Sequence, residues 1–268
     1  MSIVPLASAF DPLRYGGKAV QLGAALRAGL PVPAGYAVSH ESVQRITAGD
    51  QAAVHELREA AGSLARRLAV RSSAVDEDGD QASYAGVYTT LLNVTDEDRL
   101  FEAIQQVADS GKSAPAIAYR RKQGRAALSP VSVIMQETIE SDCSGVMFTR
   151  HPVTGQDERV IEACWGLGES IASGRIIPDM YTASRGASSI HVQIGDKETA
   201  IVHDEHGGTN EIKLDASLSR QACLSEQQVR QLDQLAAQCE AVFGDALDIE
   251  WAYAENRLYL LQCRRITV

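Results

Sequence analysis

Apolar positions along the chain alternate between a helical and a strand period, and the changes of period mark the elements. Ala19, Leu22 and Leu26 recur at helical spacing and predict a helix over 18–28, stopping near Gly29 before Pro31 and Pro33. Tyr36–Ser39 reads as a short strand, and 41–66 as helix interrupted near Gly49–Asp50. Leu68–Ser72 is a strand that feeds a polar, acidic loop, Ala74–Ser83. The β-branched and aromatic content of Val87–Val94 predicts a strand, and two helices fill 96–123. Val131–Gln136, Val146–Thr149 and Val160–Ala163 are further strands, and Val192–His203 reads as a hairpin turning at Gly195–Asp196. Val229, Leu232, Leu235, Cys239 and Val242 form one stripe and make Ser225–Phe243 the clearest helix. Leu247–Tyr253 and Arg257–Gln262 close the chain as two strands. Strands alternate with helices and then run consecutively. This predicts an α+β (mixed α/β) fold: one domain over 1–268, with an N-terminal lobe of about 1–128 and a C-terminal lobe of about 129–268.

Composition narrows the class. Of 268 residues, 45% are apolar and 22% charged, which excludes disordered and low-complexity chains. Twenty-five Lys and Arg against 35 Asp and Glu give a formal charge of −10, which argues against nucleic-acid or anionic-membrane partners but leaves room for a local basic pocket. The cysteines (Cys143, Cys164, Cys223, Cys239, Cys263) are scattered and form no C-x-x-C pair, as expected of buried thiols in a reducing compartment. The N-terminal residues lack the pattern of a secretion signal, and no apolar run approaches the roughly 18 residues of a membrane span, so the expected location is cytoplasmic.

Candidate chemistry begins in the final hairpin. In DIEWAYAENRLYLLQCRR, Asp248 and Glu250 alternate with Ile249 and Trp251. A three-residue turn at Ala254–Asn256 would pair Tyr253 with Arg257 and put Asp248, Glu250, Gln262 and Arg264 on one face. Carboxylate, amide and guanidinium groups together suit a metal–phosphate site. The same alternation suits a hairpin whose polar face is simply solvated. In LAVRSSAVDEDGDQASYAGVYTTLLNV, Arg71 at a strand end, two serines, and Ser83 and Gly86 before the next strand could wrap a polyphosphate, yet Asp76, Glu77, Asp78 and Asp80 would repel one. Tyr15-Gly-Gly-Lys-Ala19 sets Lys18 at a helix start, a position that attracts anions, without the Walker A spacing. Trp165-Gly-Leu-Gly-Glu169 is not a full dinucleotide-binding fingerprint, the six histidines show no convincing metal spacing, and no G-x-S-x-G elbow is present.

Taken in order, these segments resemble the nucleotide-binding domain of the phosphoenolpyruvate synthase and pyruvate phosphate dikinase family, a domain also found in rifampin phosphotransferase. The resemblance runs from GGKAVQLGAALRAGLPVPAGYAVS through LAVRSSAVDEDGDQASYAGVYTTLLNV, AYRRKQG, VIMQETIESDCSGVMFTRHPVTG and VIEACWGLGESIASGRIIPDMYTAS to CLSEQQV and DIEWAYAENRLYLLQCRRIT. It implies an ATP-grasp fold holding ATP between two lobes. By position, Lys18 and Arg71 would contact phosphates, and Gly86 and Thr90 would belong to the loop over the triphosphate. Gln136 would lie on the strand lining the adenine, Glu250 and Gln262 would hold Mg²⁺, and Arg264 would meet the transferred phosphate. Lys18, Arg71 and Arg264 are then the catalytic cations.

The sequence also departs from that family. His151 stands where Asn or Asp is usual, Thr89 replaces a polar or acidic residue, and Cys263 and Arg265 replace Ala and Pro. The stretch from Ser39 to Leu68 is short for the family. None of the six histidines lies in the family's phosphorylatable segment. The resemblance therefore implies an ATP-dependent phosphotransferase component that delivers a phosphoryl group to a His on a separate carrier protein. A stand-alone kinase or ligase acting on a small-molecule acceptor, and a non-catalytic nucleotide-binding subunit, are the competing expectations.

Overall fold

Local capping chemistry sets where the helices begin, and long-range strand pairing sets the rest. The computed structural model describes residues 2–75, 88–122, 124, 126 and 129–266. In chain order, β1 (Ile3–Pro5) leads through a 3-10 turn to α1 (Pro12–Tyr15), α2 (Gly17–Arg27), β2 (Gly35–Val38), α3 (His40–Thr47), α4 (Gln51–Gly62) and β3 (Leu68–Ala74). The predicted break between α3 and α4 has a clear cause. Gly49 takes φ +79° to end one helix, and the Asp50 side chain accepts from Ala53 N at 3.0 Å to start the next. β4 (Thr90–Val94), α5 (Glu97–Ser110), α6 (Ala114–Lys122) and β5 (Val131–Glu137) complete the first half.

The antiparallel first sheet has the order β1-β2-β5-β3-β4. One of its faces buries Val38, Val70, Val133 and Met135 under Val43, Ile46, Leu57, Leu100 and Ile104 of α3, α4 and α5. β5 pairs with both β2 and β3, so the strand starting at Val131 belongs to this sheet. The expected lobe boundary at 128/129 is therefore displaced: the chain leaves the first sheet only after Glu137.

The second half runs through β6 (Cys143–Phe148), β7 (Glu158–Trp165), α7 (Glu169–Ala172), β8 (Asp179–Ser184), β9 (Ile190–Gln193), β10 (Thr199–His203), β11 (Thr209–Lys213), α8 (Ala216–Ser219), α9 (Glu226–Phe243), β12 (Leu247–Ala254) and β13 (Arg257–Arg265). The second sheet is antiparallel in the order β13-β12-β6-β7-β8-β9, and β10 and β11 pair as a separate hairpin. The single hairpin expected over 192–203 does not form. β9 pairs with β8, and β10 pairs with β11 instead. Gly195 is glycine because its backbone passes close to Ile177, where a Cβ would sit 2.0 Å from the carbonyl oxygen, not because it turns a hairpin.

α9 forms as predicted, with a capping box between Ser225 and Gln228. Its stripe buries Val229, Leu232, Leu235 and Cys239, but Val242 is 39% exposed at the helix end. This stripe joins Met147, Ile161, Ile249 and Trp251 of the second sheet in a core that also holds Leu22 and Ala25 of α2 and Ile134 of β5. All five cysteines are free and buried. Among the described residues, no helix is long and apolar enough to cross a membrane.

Candidate functional site

The polar face of the second sheet, opposite α9, is assembled by strand register. Directly paired residues of antiparallel strands point to the same side. Val146 pairs with Glu162 on β7 and with Glu250 on β12, and Glu250 pairs with Gln262 on β13. Glu162, Val146, Glu250 and Gln262 thus form one row across four strands. Asp248 and Arg264, also paired, occupy the neighbouring row. The four residues expected on one face of the final hairpin are there, but by a different register. The turn has two residues, Glu255 and Asn256, both at positive φ, with Ala254 paired to Arg257. That turn alone would send Gln262 and Arg264 to the core face. A β-bulge between the Glu250 and Trp251 pairings, with Leu261 as the extra residue, returns them to the polar face.

Arg71 crosses to this face from β3 of the other sheet. Its Nη1 donates to the carbonyl of the bulge residue Leu261 at 2.7 Å. Its Nη2 donates to Gln262 Oε1 at 2.8 Å and to Glu250 Oε2 at 3.3 Å. One guanidinium thus links the polar faces of the two sheets, and its side chain is 11% exposed. In the next row, Arg264 donates to Asp248 Oδ2 through Nε at 2.8 Å and approaches it through Nη2 at 2.7 Å. Asp248 Oδ1 is buried without a hydrogen-bond partner. Burial pushes the Asp248 carboxyl above its usual range against the opposing pull of Arg264. Burial, with a contribution from Asp248, does the same to Glu162.

Lys18 lies in the first turn of α2 and is 6% exposed. Its helix start abuts β3: Ala19 N donates to Ser73 Oγ at 3.0 Å. Gly16 takes φ +80°, and a Cβ there would lie 1.9 Å from the Ser73 carbonyl oxygen. This close approach explains Gly16, the first glycine of the pair before Lys18. Thr90 pairs with Arg71 at the start of β4 and is exposed. Gln136 is buried on the Arg71 side of the first sheet, with Nε2 donating to the Pro33 carbonyl at 3.0 Å. Gly86, like Ser83, lies outside the described residues. Arg71, Glu250, Gln262 and Arg264 are thus brought together, Lys18 and Thr90 belong to elements beside Arg71, and the Gln136 side chain is engaged elsewhere.

Glu162 was not singled out in the sequence. Its signal is a carboxylate between Ile161 and Ala163 that interrupts the apolar run Val160–Cys164, and only the cross-strand row shows what it faces. His151, the departure before Pro-Val-Thr-Gly, has a structural role. Its Nδ1 accepts from Val153 N at 3.1 Å and from Thr154 N at 3.2 Å, the bonds an Asx side chain makes in such a turn.

Among the described residues no cluster of three or more His, Cys, Asp or Glu side chains is poised as a metal cage. The oxygens of Glu250 and Gln262 do converge on one cationic group, the Arg71 Nη2, and Asp248 presents an unpaired oxygen in the adjoining row. An oxygen pair of this kind fits Mg²⁺, which takes one or two protein ligands and completes its shell with phosphates and water.

Residues 50–268 match the sequence pattern of the pyruvate phosphate dikinase, AMP/ATP-binding domain family. The chain belongs to that family. Its two facing sheets are the α+β, ATP-grasp architecture that membership implies. Relatives include the prodigiosin synthesizing transferase PigC of Serratia marcescens, 33% identical over 96% of this chain and 32% of that protein. A probable phosphoenolpyruvate synthase of Methanocaldococcus jannaschii is 36% identical over 80% of this chain and 18% of that protein. An uncharacterized phosphotransferase of Bacillus subtilis, YvkC, is 30% identical over 94% of this chain and 33% of that protein. The chain thus spans a third or less of each of these relatives. Among solved structures, the VanG D-Ala:D-Ser ligase of Enterococcus faecalis is similar at a TM-score of 0.45 and 12% identity, covering 97% of this chain and 54% of that one.

Proposed function

We propose that this chain is the ATP-handling domain of a dikinase-type phosphotransferase, passing a phosphoryl group to a His on a carrier protein. The observation that supports it is the meeting of Arg71 from one sheet with Glu250 and Gln262 from the other, beside the Asp248–Arg264 pair. Two carboxylates, an amide oxygen and two guanidiniums converge between the sheets, the inventory that holds and aligns a polyphosphate. In this reading Lys18 and Arg71 bind the phosphates of ATP, and Thr90 and Gly86 flank the triphosphate. The strand carrying Gln136 borders the base. Arg71 exchanges its contacts with Glu250 and Gln262 for phosphate oxygens, which frees those two side chains to hold Mg²⁺. A Mg²⁺ ion there would supply neutralisation of the phosphate charge. Arg264, held in place by Asp248, meets the moving phosphoryl, so its removal lowers turnover more than ATP affinity.

The deciding experiment uses ATP labelled separately at the β and γ positions, with and without a candidate His-carrier protein. Carrier-dependent labelling with release of AMP and inorganic phosphate supports the proposal. Carrier-independent transfer to a small molecule, with ADP or AMP formed, would refute it in favour of a stand-alone kinase or ligase. Unchanged ATP affinity in both Arg71→Ala and Glu250→Ala would remove the assigned site altogether.

A further inference from the structure

A pocket of about 370 Å³ opens where the start of β3 meets the turn between β10 and β11, lined by Arg66, Arg67, Thr95, Arg99, Glu205 and His206. Its walls come from both halves of the chain, and the turn is fastened across the gap. Asn93, held at φ +56°, donates from Nδ2 to the carbonyls of Asp204 at 2.6 Å and Gly208 at 2.8 Å. Its own carbonyl accepts from Gly208 N at 3.1 Å. Arg99 adds a bond to the His206 carbonyl and pairs with Asp96 at 3.4 Å.

Arg66 and Arg67 have no such engagement. Among the described residues neither side chain makes a hydrogen bond or an ion pair. Glu205 is the one carboxylate in the lining. In a chain of net charge −10, unpaired guanidiniums gathered in a concave wall repel one another and draw an anion. Arg67 stands four residues before Arg71 on an extended run, roughly 13 Å away, so a phosphate held at Arg71 does not neutralise it.

We propose that this pocket is a second anion site, outside the nucleotide cleft, for a small polyanion of the pyrophosphate or phosphate-ester class. Arg66 and Arg67 supply the forked donors, and the fastened turn fixes the opposite wall, with the His206 ring as a further donor. A ligand there touches both halves of the chain and adds to the Asn93 fastening.

The test is calorimetric binding of pyrophosphate at about 0.15 M salt, where loose surface attraction is screened. It is run on Arg71→Met, which disables the cleft, and on the same protein carrying Arg66→Ala and Arg67→Ala. A saturable site in the first that weakens about tenfold or more in the second is expected. No saturable binding in the first, or equal binding in both, would overturn the proposal. Should Arg71→Met fail to fold, the wild-type chain is titrated instead. A two-site isotherm that becomes one-site on replacing Arg66 and Arg67 then supports the pocket, and an unchanged isotherm removes it.

Discussion

Replacing Arg71 by Ala should loosen the contact between the two sheets even when no nucleotide is present. The guanidinium makes hydrogen bonds to the Leu261 carbonyl at 2.7 Å, to Gln262 at 2.8 Å and to Glu250 at 3.3 Å. Bonds from a charged donor contribute about 1.5–3 kcal/mol each before the cost of ordering the side chain. The Glu250 side chain is 37% exposed, so that ion pair is screened and adds at most about 1 kcal/mol. Ordering an arginine costs about 2 kcal/mol. The net loss is then about 3 kcal/mol. For a chain of this size, each kcal/mol moves the midpoint by about 2–4 °C, so Tm should fall by roughly 6–12 °C. Thermal melting of the nucleotide-free protein, followed by circular dichroism, measures it. Arg71→Lys should recover less than half of the loss, because a single ammonium cannot serve the carbonyl and the amide at once. A change in Tm under about 1 °C for Arg71→Ala would refute the reasoning and reduce Arg71 to a ligand-binding group alone.

Other perturbations separate the remaining roles. Glu162 has a folded pKa raised by burial, so its favourable contribution is complete below the unfolded carboxylate pKa and is lost as pH rises through the folded value. Glu162→Gln should therefore be more stable than the wild type near pH 7, with the gain vanishing at about pH 4; an equal gain at both pH values in urea titrations would contradict this. Gly16→Ala should cost about 3 kcal/mol or more, because the Cβ meets the Ser73 carbonyl oxygen at 1.9 Å and the backbone sits at φ +80°; melting within 2 °C of wild type, roughly the effect of 0.5–1 kcal/mol, would count against that account. His151→Asn should preserve the bonds to Val153 N and Thr154 N, while His151→Leu should cost up to about 1 kcal/mol and speed proteolytic nicking of the 150–156 loop. Burial pushes the Cys143 and Cys164 thiols up to about 12, so thiol reagents at neutral pH should label neither until the chain unfolds.

The parts of the fold that were legible in the sequence are those set by nearby residues. α9 follows from its apolar stripe and its Ser225–Gln228 box, and the break between α3 and α4 from Gly49 and Asp50. What could not be read is set by distant partners. Val131–Glu137 looks like any apolar strand, and only its pairing with β2 and β3 assigns it to the first sheet. The stretch 192–203 has the turn residues of a hairpin, but Gly195 N donates to Asp179 Oδ1 at 2.8 Å and ties the chain to the start of β8 instead. In the final hairpin the expected three-residue turn and the observed two-residue turn with a bulge leave Gln262 and Arg264 on the same side. The polar face was therefore foreseen correctly from an incorrect register. Glu162 could not be placed without the row that joins it to Glu250 through Val146.

The shared core has a consequence for how the chain can be divided. The family pattern matches only from residue 50, yet Leu6, Ala9, Tyr15, Ala19 and Leu22 lie in the same buried cluster as Trp251 and Leu232. A cut between Glu137 and Cys143 would separate the sheets on paper but would strip the later fragment of apolar surface supplied by the first 30 residues. The two fragments should behave as mutually dependent partners that regain structure only when mixed, as in fragment complementation, and the intact chain should unfold in a single cooperative transition.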